Sequence, residues 1–176
     1  MKLTFLSAGI FLLLCTALPN AYAASKMYYE LDASYGTIKL TDGKFNPWLA
    51  RMKFGYNITD NFSVEGHYAT GVKDDTLNSL NVELKQMMAG YIRWGSNTMD
   101  NVRLYILLGQ ARTTLNWDGP TKTGEEQLDD FTWAVGAEER SKKITNMYYT
   151  AEYASYFHKG DQDVTTISLG LRFDFL

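Results

Sequence analysis

Charged residues in this chain repeatedly stand two positions apart, the spacing that places both side chains on one face of a β-strand. Glu65 is followed by His67, and Arg51 by Lys53. Groups of this kind could exchange protons as general acids and bases, could line a path for ions, or could neutralise one another as buried ion pairs. Which chemistry they perform depends on the strands that carry them and on what that face of each strand meets.

Eight segments of the chain alternate apolar and polar residues with a period of two, as strands do. In the last of them, five apolar residues from Ile167 to Phe175 share one face. The segments are Met27–Leu40, Trp48–Ile58, Phe62–Gly71, Leu80–Trp94, Val102–Trp117, Asp130–Arg140, Met147–His158 and Val164–Leu176. The pattern predicts an all-β fold, an eight-stranded antiparallel up-and-down β-barrel.

Residues 1–23 have the features of a cleavable signal peptide. Lys2 is followed by an apolar run over Leu3–Leu18 and by the A-x-A cleavage pattern Ala21-Tyr22-Ala23. The apolar run is shorter than the ~20 residues of a membrane-spanning helix. We therefore expect cleavage after Ala23 and a single barrel domain over residues 24–176.

Composition excludes several classes of function. Cys15, the only cysteine, lies in the predicted signal peptide and follows Leu14, where a lipoprotein signal requires a small residue. The exported domain therefore has no thiol for catalysis, metal ligation or a disulfide. The chain has 17 basic and 20 acidic residues and no basic patch, so we expect no nucleic-acid partner. Its mean hydropathy of −0.26 excludes a helical membrane protein, but in a membrane barrel only every second residue faces lipid.

The alternation fits either a soluble barrel with an apolar interior or a membrane barrel with a polar one, and the charges favour the second. Enclosed charges must be paired, because burial of an unpaired ion costs several kcal/mol. The polar face carries seven acidic residues and seven basic ones, with His67 in addition. We predict that these residues form an ion-pair network in the lumen: Glu30, Asp32, Glu65, Glu83, Glu138, Glu152, Asp174, Arg51, Lys53, Lys85, Arg93, Arg103, Arg140, Arg172 and His67.

Glycines and aromatics agree with a transmembrane barrel. Glycines on the polar face leave room for large side chains in a narrow lumen; they are Gly55, Gly109, Gly136 and Gly170. Aromatics of the apolar face collect at the strand ends, as expected for girdles at two lipid interfaces. One predicted girdle has Tyr29, Tyr56, Phe62, Trp94, Tyr149, Phe173 and Phe175, and the other has Tyr35, Trp48, Tyr68, Phe131, Trp133 and Phe157.

Several short motifs resemble one family. They are Phe54-Gly55-Tyr56-Asn57, Tyr105-Ile106-Leu107-Leu108-Gly109, Trp133-Ala134-Val135-Gly136-Ala137, Glu152-Tyr153 and Leu169-Gly170-Leu171-Arg172-Phe173. Together they resemble the eight-stranded outer-membrane barrels of the OmpA/OmpX/Opa type, the outer membrane protein β-barrel domain group. The resemblance implies a non-enzymatic barrel with a packed polar interior and exposed loops for adhesion, recognition or envelope integrity. Chains of this family typically end on an aromatic residue, whereas here Leu176 follows Phe175.

The family resemblance implies a Gram-negative outer membrane, with both chain termini in the periplasm. We expect periplasmic turns at Thr59–Asn61, Gly95–Asn101 and Ser141–Asn146. We expect external loops at Thr41–Pro47, Val72–Ser79, Asp118–Asp129 and Lys159–Asp163. The expected partners are outer-membrane lipid, lipopolysaccharide and the barrel-assembly machinery, with an unidentified surface ligand and a monomeric state.

Two other functions remain open in the sequence. The charged face could line a narrow ion or solute channel, although eight strands leave an interior only wide enough for side chains. His67 or His158 could act as the base of a lipid-modifying enzyme. One type of lipid A deacylase has a serine two residues after its histidine, and here Ala69 and Gly160 stand at those positions. The acidic loop residues show no ordered ligand spacing, so we expect no catalytic residue, cofactor or metal.

Overall fold

The computed structural model describes residues 26–40, 43–73, 75–77, 80–118, 123–160 and 162–175. Its strands are β1 (Met27–Leu40), β2 (Gly43–Phe45), β3 (Trp48–Asn57), β4 (Phe62–Lys73), β5 (Asp75–Leu77), β6 (Leu80–Gly95), β7 (Val102–Asp118), β8 (Gly124–Arg140), β9 (Met147–Lys159) and β10 (Gln162–Asp174). No helix in these ranges is long and apolar enough to cross a membrane. The predicted signal peptide, residues 1–23, lies outside the described residues.

Eight long strands form one closed antiparallel sheet. Each strand pairs with its neighbours along the chain, in the order β1, β3, β4, β6, β7, β8, β9 and β10. The barrel closes where β1 pairs with β10, from Tyr28 opposite Asp174 to Lys39 opposite Asp163. The short strands β2 and β5 extend the wall by pairing with β1 and β6. The predicted eight-stranded up-and-down barrel is confirmed, and its closure satisfies the sheet edges with hydrogen bonds.

A belt of apolar side chains surrounds the outside of the barrel. Its members are 38–68% exposed, which is typical of a surface covered by lipid or by another protein. They include Leu31, Met52, Phe54, Ile92, Leu104, Ile106, Leu108, Val135, Leu169 and Leu171. The same strands turn charged residues towards the axis, with Glu30, Lys53 and Glu65 each 1% exposed. The apolar face therefore points outward, as predicted.

Aromatic side chains border this belt at both ends. We call the end where β1 begins, β10 ends and the three short connections lie the turn end, and the opposite end the loop end. At the turn end, the rings of Tyr29 and Phe173 stack with their centroids 5.3 Å apart. At the loop end, Tyr35 contacts Trp48 at 5.3 Å between centroids. Two aromatic borders are the expected signature of the two interfaces of a bilayer.

The pattern of faces reverses towards the loop end. There the interior is filled by buried apolar side chains, and we call this group the apolar plug. Its members are Ile38, Phe45, Leu49, Leu84, Met87, Leu115, Trp117, Leu128, Phe157 and Val164. The outer surface at this height carries exposed ion pairs, with Lys85 Nζ 2.7 Å from Glu125 Oε2 and Arg112 Nε 2.8 Å from Asp129 Oδ1. This part of the wall is therefore organised as in a water-soluble barrel.

Three shifts in strand register accompany this reversal. Val72 in β4, Lys85 in β6 and Tyr156 in β9 each stand as an extra residue between two cross-strand pairs. An extra residue of this kind is a β-bulge, and it exchanges the inward and outward positions of the strand beyond it. After Tyr156, for example, Phe157 also points inward and is 5% exposed.

The bulges overturn four predicted positions. The sequence places Glu83 and Lys85 in the lumen, but both face outward, because the bulge shifts the alternation at this point of β6. The Lys85 side chain is 56% exposed, and Glu83 accepts a long contact of 3.5 Å from Asn116. For the same reason Leu84, predicted to face lipid, is buried inside. Phe157, predicted for an aromatic girdle, belongs to the apolar plug.

The connections at the loop end are shorter than predicted. β7 continues to Asp118 and β8 begins at Gly124, so the predicted loop Asp118–Asp129 is wrong over most of its length. β2 lies within the predicted loop Thr41–Pro47, and β5 lies within Val72–Ser79. The stretches that form these strands contain many polar residues, and a polar stretch resembles a loop when the sequence is read alone.

Candidate functional site

The middle of the lumen is filled by a buried group of charges that we call the central cluster. Lys53 Nζ lies 2.8 Å from Glu30 Oε1, 2.9 Å from Glu152 Oε2 and 3.4 Å from Asp32 Oδ2. Arg51 lies beside it, with Nε 2.9 Å from Asp32 Oδ2 and Nη1 2.8 Å from Glu152 Oε1. The five side chains are at most 2% exposed. Two cations and three carboxylates thus form one network without access to water.

Neutral side chains supply further hydrogen bonds to this cluster. Thr150 Oγ1 donates to Glu30 at 2.8 Å, and the Tyr105 hydroxyl donates to Glu152 at 3.0 Å. Arg51 donates to Ser168 Oγ at 2.6 Å and to the hydroxyl of Tyr156. Such partners stabilise buried charges that ion pairing alone would leave under-solvated. They lie on the predicted polar face of their strands but are not among the predicted network residues.

A second buried group, the lower cluster, lies between the central cluster and the turn end. Arg93 bridges Glu65 and Glu138, with Nη1 2.8 Å from Glu65 Oε1 and Nη2 2.5 Å from Glu138 Oε2. Arg172 bridges Glu138 and Asp174 at 2.7 and 2.9 Å. The result is a chain of alternating charges in which each guanidinium contacts two carboxylates. A guanidinium can do so because it carries five N–H donors.

Tyrosine rings pack between these guanidinium groups. Arg172 lies 3.8 Å from the centroid of Tyr28, and Arg93 lies 3.7 Å from that of Tyr105, both within the range of cation–π attraction. Each ring lies over a glycine of the adjacent strand, Tyr28 over Gly55 and Tyr105 over Gly136, where a Cβ atom would overlap the ring. These two glycines are therefore the positions that let the large rings enter a narrow lumen.

The predicted network residues fall into three groups. Ten are buried in the lumen: Glu30, Asp32, Arg51, Lys53, Glu65, His67, Arg93, Glu138, Glu152 and Arg172. Three lie at the rim of the turn end: Arg103, Arg140 and Asp174. Glu83 and Lys85 lie on the outer surface, as described above. Because one acid and one base leave the set together, the lumen and its rim still hold equal numbers of acidic and basic residues, six of each, with His67 in addition.

The two histidines lie in unrelated places. His67 is buried, with Nε2 2.7 Å from Glu65 Oε2 and its ring 4.5 Å from that of Tyr91. The His158 side chain is 76% exposed, and its Nδ1 lies 3.7 Å from Asp163. Neither set of contacts includes a serine that could act as a nucleophile. Among the described residues, no three His, Cys, Asp or Glu side chains are grouped closely enough to hold a metal ion.

The lumen is therefore divided along its axis into two chemically different halves. Paired charges occupy the half towards the turn end, and the apolar plug occupies the half towards the loop end. Within the part of the chain that the structure describes, the polar groups end where Leu84, Leu115 and Phe157 begin. This arrangement can stabilise a closed barrel, because the charges neutralise one another and the apolar side chains exclude water.

Comparison with solved structures finds the same architecture at low sequence identity. The Ail protein of Yersinia pestis, solved in complex with the heparin analogue sucrose octasulfate, aligns with a TM-score of 0.65 and 16% identity over 87% of this chain and 100% of Ail. Neisserial surface protein A aligns with a TM-score of 0.62 and 19% identity over 88% and 100%. The N-terminal barrel of Pseudomonas aeruginosa OprF aligns with a TM-score of 0.59 and 13% identity over 87% and 100%.

Comparison of the sequence with protein families gives a match over nearly the whole chain. No curated protein sequence matches it significantly. The model of the outer membrane protein beta-barrel domain, however, matches residues 8–175. This match agrees with the closed barrel, the outward apolar belt and the paired interior. The chain therefore belongs to the outer membrane protein β-barrel family.

Proposed function

We propose that this protein is a non-enzymatic barrel of the outer membrane that contributes to envelope structure or surface interaction through its short external loops, and whose lumen does not conduct. One observation carries the proposal: the apolar plug lies above charges that already neutralise one another. The alternative is a narrow channel for ions or small solutes. A channel would require ions to pass the apolar plug, whereas a closed barrel would not.

The cost of desolvation opposes conduction through this lumen. An ion moving along the axis would lose its water beside Leu115, Trp117 and Phe157, which are at most 5% exposed and offer it no charged side chain. Transfer of an ion into such surroundings costs several kcal/mol even after the protein relaxes. The charges of the central cluster give it no free partner, since Lys53 and Arg51 are bound to carboxylates.

Single-channel recording in planar lipid bilayers tests this proposal. We expect no steady conductance from the purified, folded barrel, while a general porin in the same membranes conducts. Steady conductance that disappears in Arg103→Ala or Glu138→Ala would establish the channel instead. Folding of each sample is checked by its electrophoretic mobility before and after boiling, because a folded barrel migrates differently from its heated form.

The absence of enzymatic activity is a separate part of the proposal. It is supported by the positions of His67, which contacts Glu65 and Tyr91, and of His158, which lies exposed at the far end. Mass spectrometry of lipid A from Gram-negative cells with and without the gene tests this part. An unchanged lipid A profile is expected, and a mass shift that requires the gene would establish a lipid-modifying enzyme.

We propose that the turn end faces the periplasm and that lipid and lipopolysaccharide cover the belt of a monomer inserted by the barrel-assembly machinery. The turns here are short and close the hairpins tightly, with Asn101 and Asn146 at positive φ. Because the mature chain contains no cysteine, single substitutions can report the orientation. On intact cells a membrane-impermeant maleimide should label Thr123→Cys at the loop end and leave Lys142→Cys at the turn end unlabelled. The reverse pattern would contradict the orientation.

A further inference from the structure

A cavity of about 510 Å³ opens at the turn end of the barrel, below the lower cluster. We call it the vestibule. The connections after β3 and β6 form part of its wall, and Lys26, Asn57 and the turn-end residues of β7, β8, β9 and β10 form the rest. Four cations line it, namely Lys26, Arg103, Arg140 and Arg172, together with the carboxylates of Asp60, Glu138 and Asp174. Cations thus outnumber carboxylates in this cavity by four to three.

The carboxylates of the vestibule are mostly occupied. Glu138 accepts hydrogen bonds from Arg172 and from Arg93, which lies above it in the lower cluster. Asp174 accepts two hydrogen bonds from Arg172, at 3.1 and 2.9 Å. Arg103 reaches Glu138 only at 3.7 Å and donates instead to the backbone carbonyls of Ser96 and Asp60. The charge of Arg103 is therefore only weakly compensated.

Two further side chains in the vestibule have no polar partner among the described residues. Arg140 is the last residue of β8 and is exposed, and Tyr148 in β9 stands directly opposite it in the sheet register. Across the described ranges, neither the Arg140 guanidinium nor the Tyr148 hydroxyl makes a side-chain hydrogen bond or ion pair. Arg172 is the next cross-strand neighbour of Tyr148, and its guanidinium lies 5.2 Å from that ring. The Arg140 guanidinium and the Tyr148 hydroxyl thus present unused donors to the cavity, beside the paired Arg172.

We propose that the vestibule binds an oxyanion, a carboxylate or phosphate group, between the Arg140 guanidinium and the Tyr148 hydroxyl. A guanidinium binds both kinds of group through two parallel N–H donors, and a phenol adds a third donor. Lys26 and Arg103 strengthen the positive potential, because a cleft between low-dielectric walls concentrates the field of its charges. The site is independent of the proposed function, since it requires only the folded barrel.

Titration of the purified barrel in lipid nanodiscs tests the site. Inorganic phosphate is one probe and succinate is the other, and two-dimensional ¹H–¹⁵N NMR follows the backbone amides around the vestibule. We expect saturable shifts at Tyr148 and Asn101 with a dissociation constant of about 1–10 mM, as for a few partly exposed charged contacts. The probe with the lower dissociation constant identifies the group as phosphate or carboxylate. Shifts that stay linear with both probes would overturn the proposal.

Variants separate a built site from diffuse attraction by surface charge. Arg140→Gln should weaken binding roughly fivefold and Tyr148→Phe by about twofold to threefold, since each loses a hydrogen-bond donor to the anion. Lys142→Gln is the matched control, because it removes the same charge from the neighbouring turn outside the vestibule, and it should change binding by less than about twofold. Equal weakening by Arg140→Gln and Lys142→Gln would reject the site. Arg140 and Lys142 are exposed, so both variants should retain the heat-modifiable mobility of the folded barrel.

Discussion

Replacement of Lys53 by methionine is the most direct test of the idea that the lumen is dry and held by ion pairing. Lys53 is 1% exposed and lies within 3.4 Å of three carboxylates, those of Glu30, Asp32 and Glu152. Methionine is of similar length and lacks the charge, so the change removes the cation with little change of volume. Three carboxylates then share Arg51 as their remaining close cation in the central cluster.

The expected loss follows from the number of charges left unpaired. Removal of one partner from a buried pair costs about 3–5 kcal/mol, because the other charge stays buried without compensation. Lys53 serves three carboxylates, so we expect Lys53→Met to lose about 4 kcal/mol or more of unfolding free energy. With a typical urea dependence of about 2 kcal/mol per molar, the unfolding midpoint should fall by about 2 M.

Equilibrium urea unfolding of the barrel in lipid vesicles, followed by tryptophan fluorescence, measures this loss. Lys85→Met is the matched control, because Lys85 also lies 2.7 Å from a carboxylate but its side chain is 56% exposed. Surface pairs of this kind contribute little, so the control midpoint should not move measurably. The double variant Lys53→Met with Glu30→Gln should recover part of the loss, since it neutralises one stranded carboxylate. Equal midpoints for Lys53→Met and Lys85→Met would refute the reasoning and indicate a hydrated lumen.

Three further predictions concern the wall and the processing of the barrel. Gly136→Ala should slow folding or lower the unfolding midpoint, because the new Cβ overlaps the Tyr105 ring, whereas Gly66→Ala, whose Cβ would meet open space, should not. Leu169→Arg should cost about 2–4 kcal/mol in vesicle unfolding, as for a cation on the lipid face near the bilayer centre, and a cost near zero would place this residue outside the lipid. Mass spectrometry of the mature protein should give an N-terminus at Ala24, and a protein retaining residues 1–23 would contradict the predicted cleavage.

The sequence predicts the barrel well because period-two alternation is a direct consequence of strand geometry. The number of long strands and the division of their residues between two faces followed from that pattern, but the pattern alone did not determine which face points outward. Equal numbers of acidic and basic residues on one face were also informative, because an enclosed interior enforces such a balance. Glycines on the same face indicated tight packing, and the structure shows Tyr28 and Tyr105 over two of them.

The errors lie where a single residue changes the register. The extra residues at Lys85 and Tyr156 invert the faces of β6 and β9, so Glu83 and Lys85 were placed inside and Leu84 and Phe157 outside. A bulge leaves only a break in the alternation, and Gln86, a polar residue at an apolar position, was the one visible sign. The vestibule was not predictable, because Arg140 and Tyr148 belong to different strands and meet only through the register of β8 and β9.

The bulges also determine how deeply the barrel is inserted in the membrane. On the turn-end side of the bulges the wall presents apolar side chains to lipid. On the loop-end side the same strands present polar side chains to water. The position of the extra residue in β6 or β9 thus sets the boundary between the lipid-facing and the water-facing parts of the outer surface. Lengthening a loop beyond the bulges leaves the faces of the strands unchanged, whereas deleting one residue among the regular cross-strand pairs of β6, from Met87 to Trp94, would exchange inward and outward side chains over part of the strand and bring charged side chains into contact with lipid. Evolutionary variation in length should therefore be tolerated at the loop tips and resisted at these interior positions.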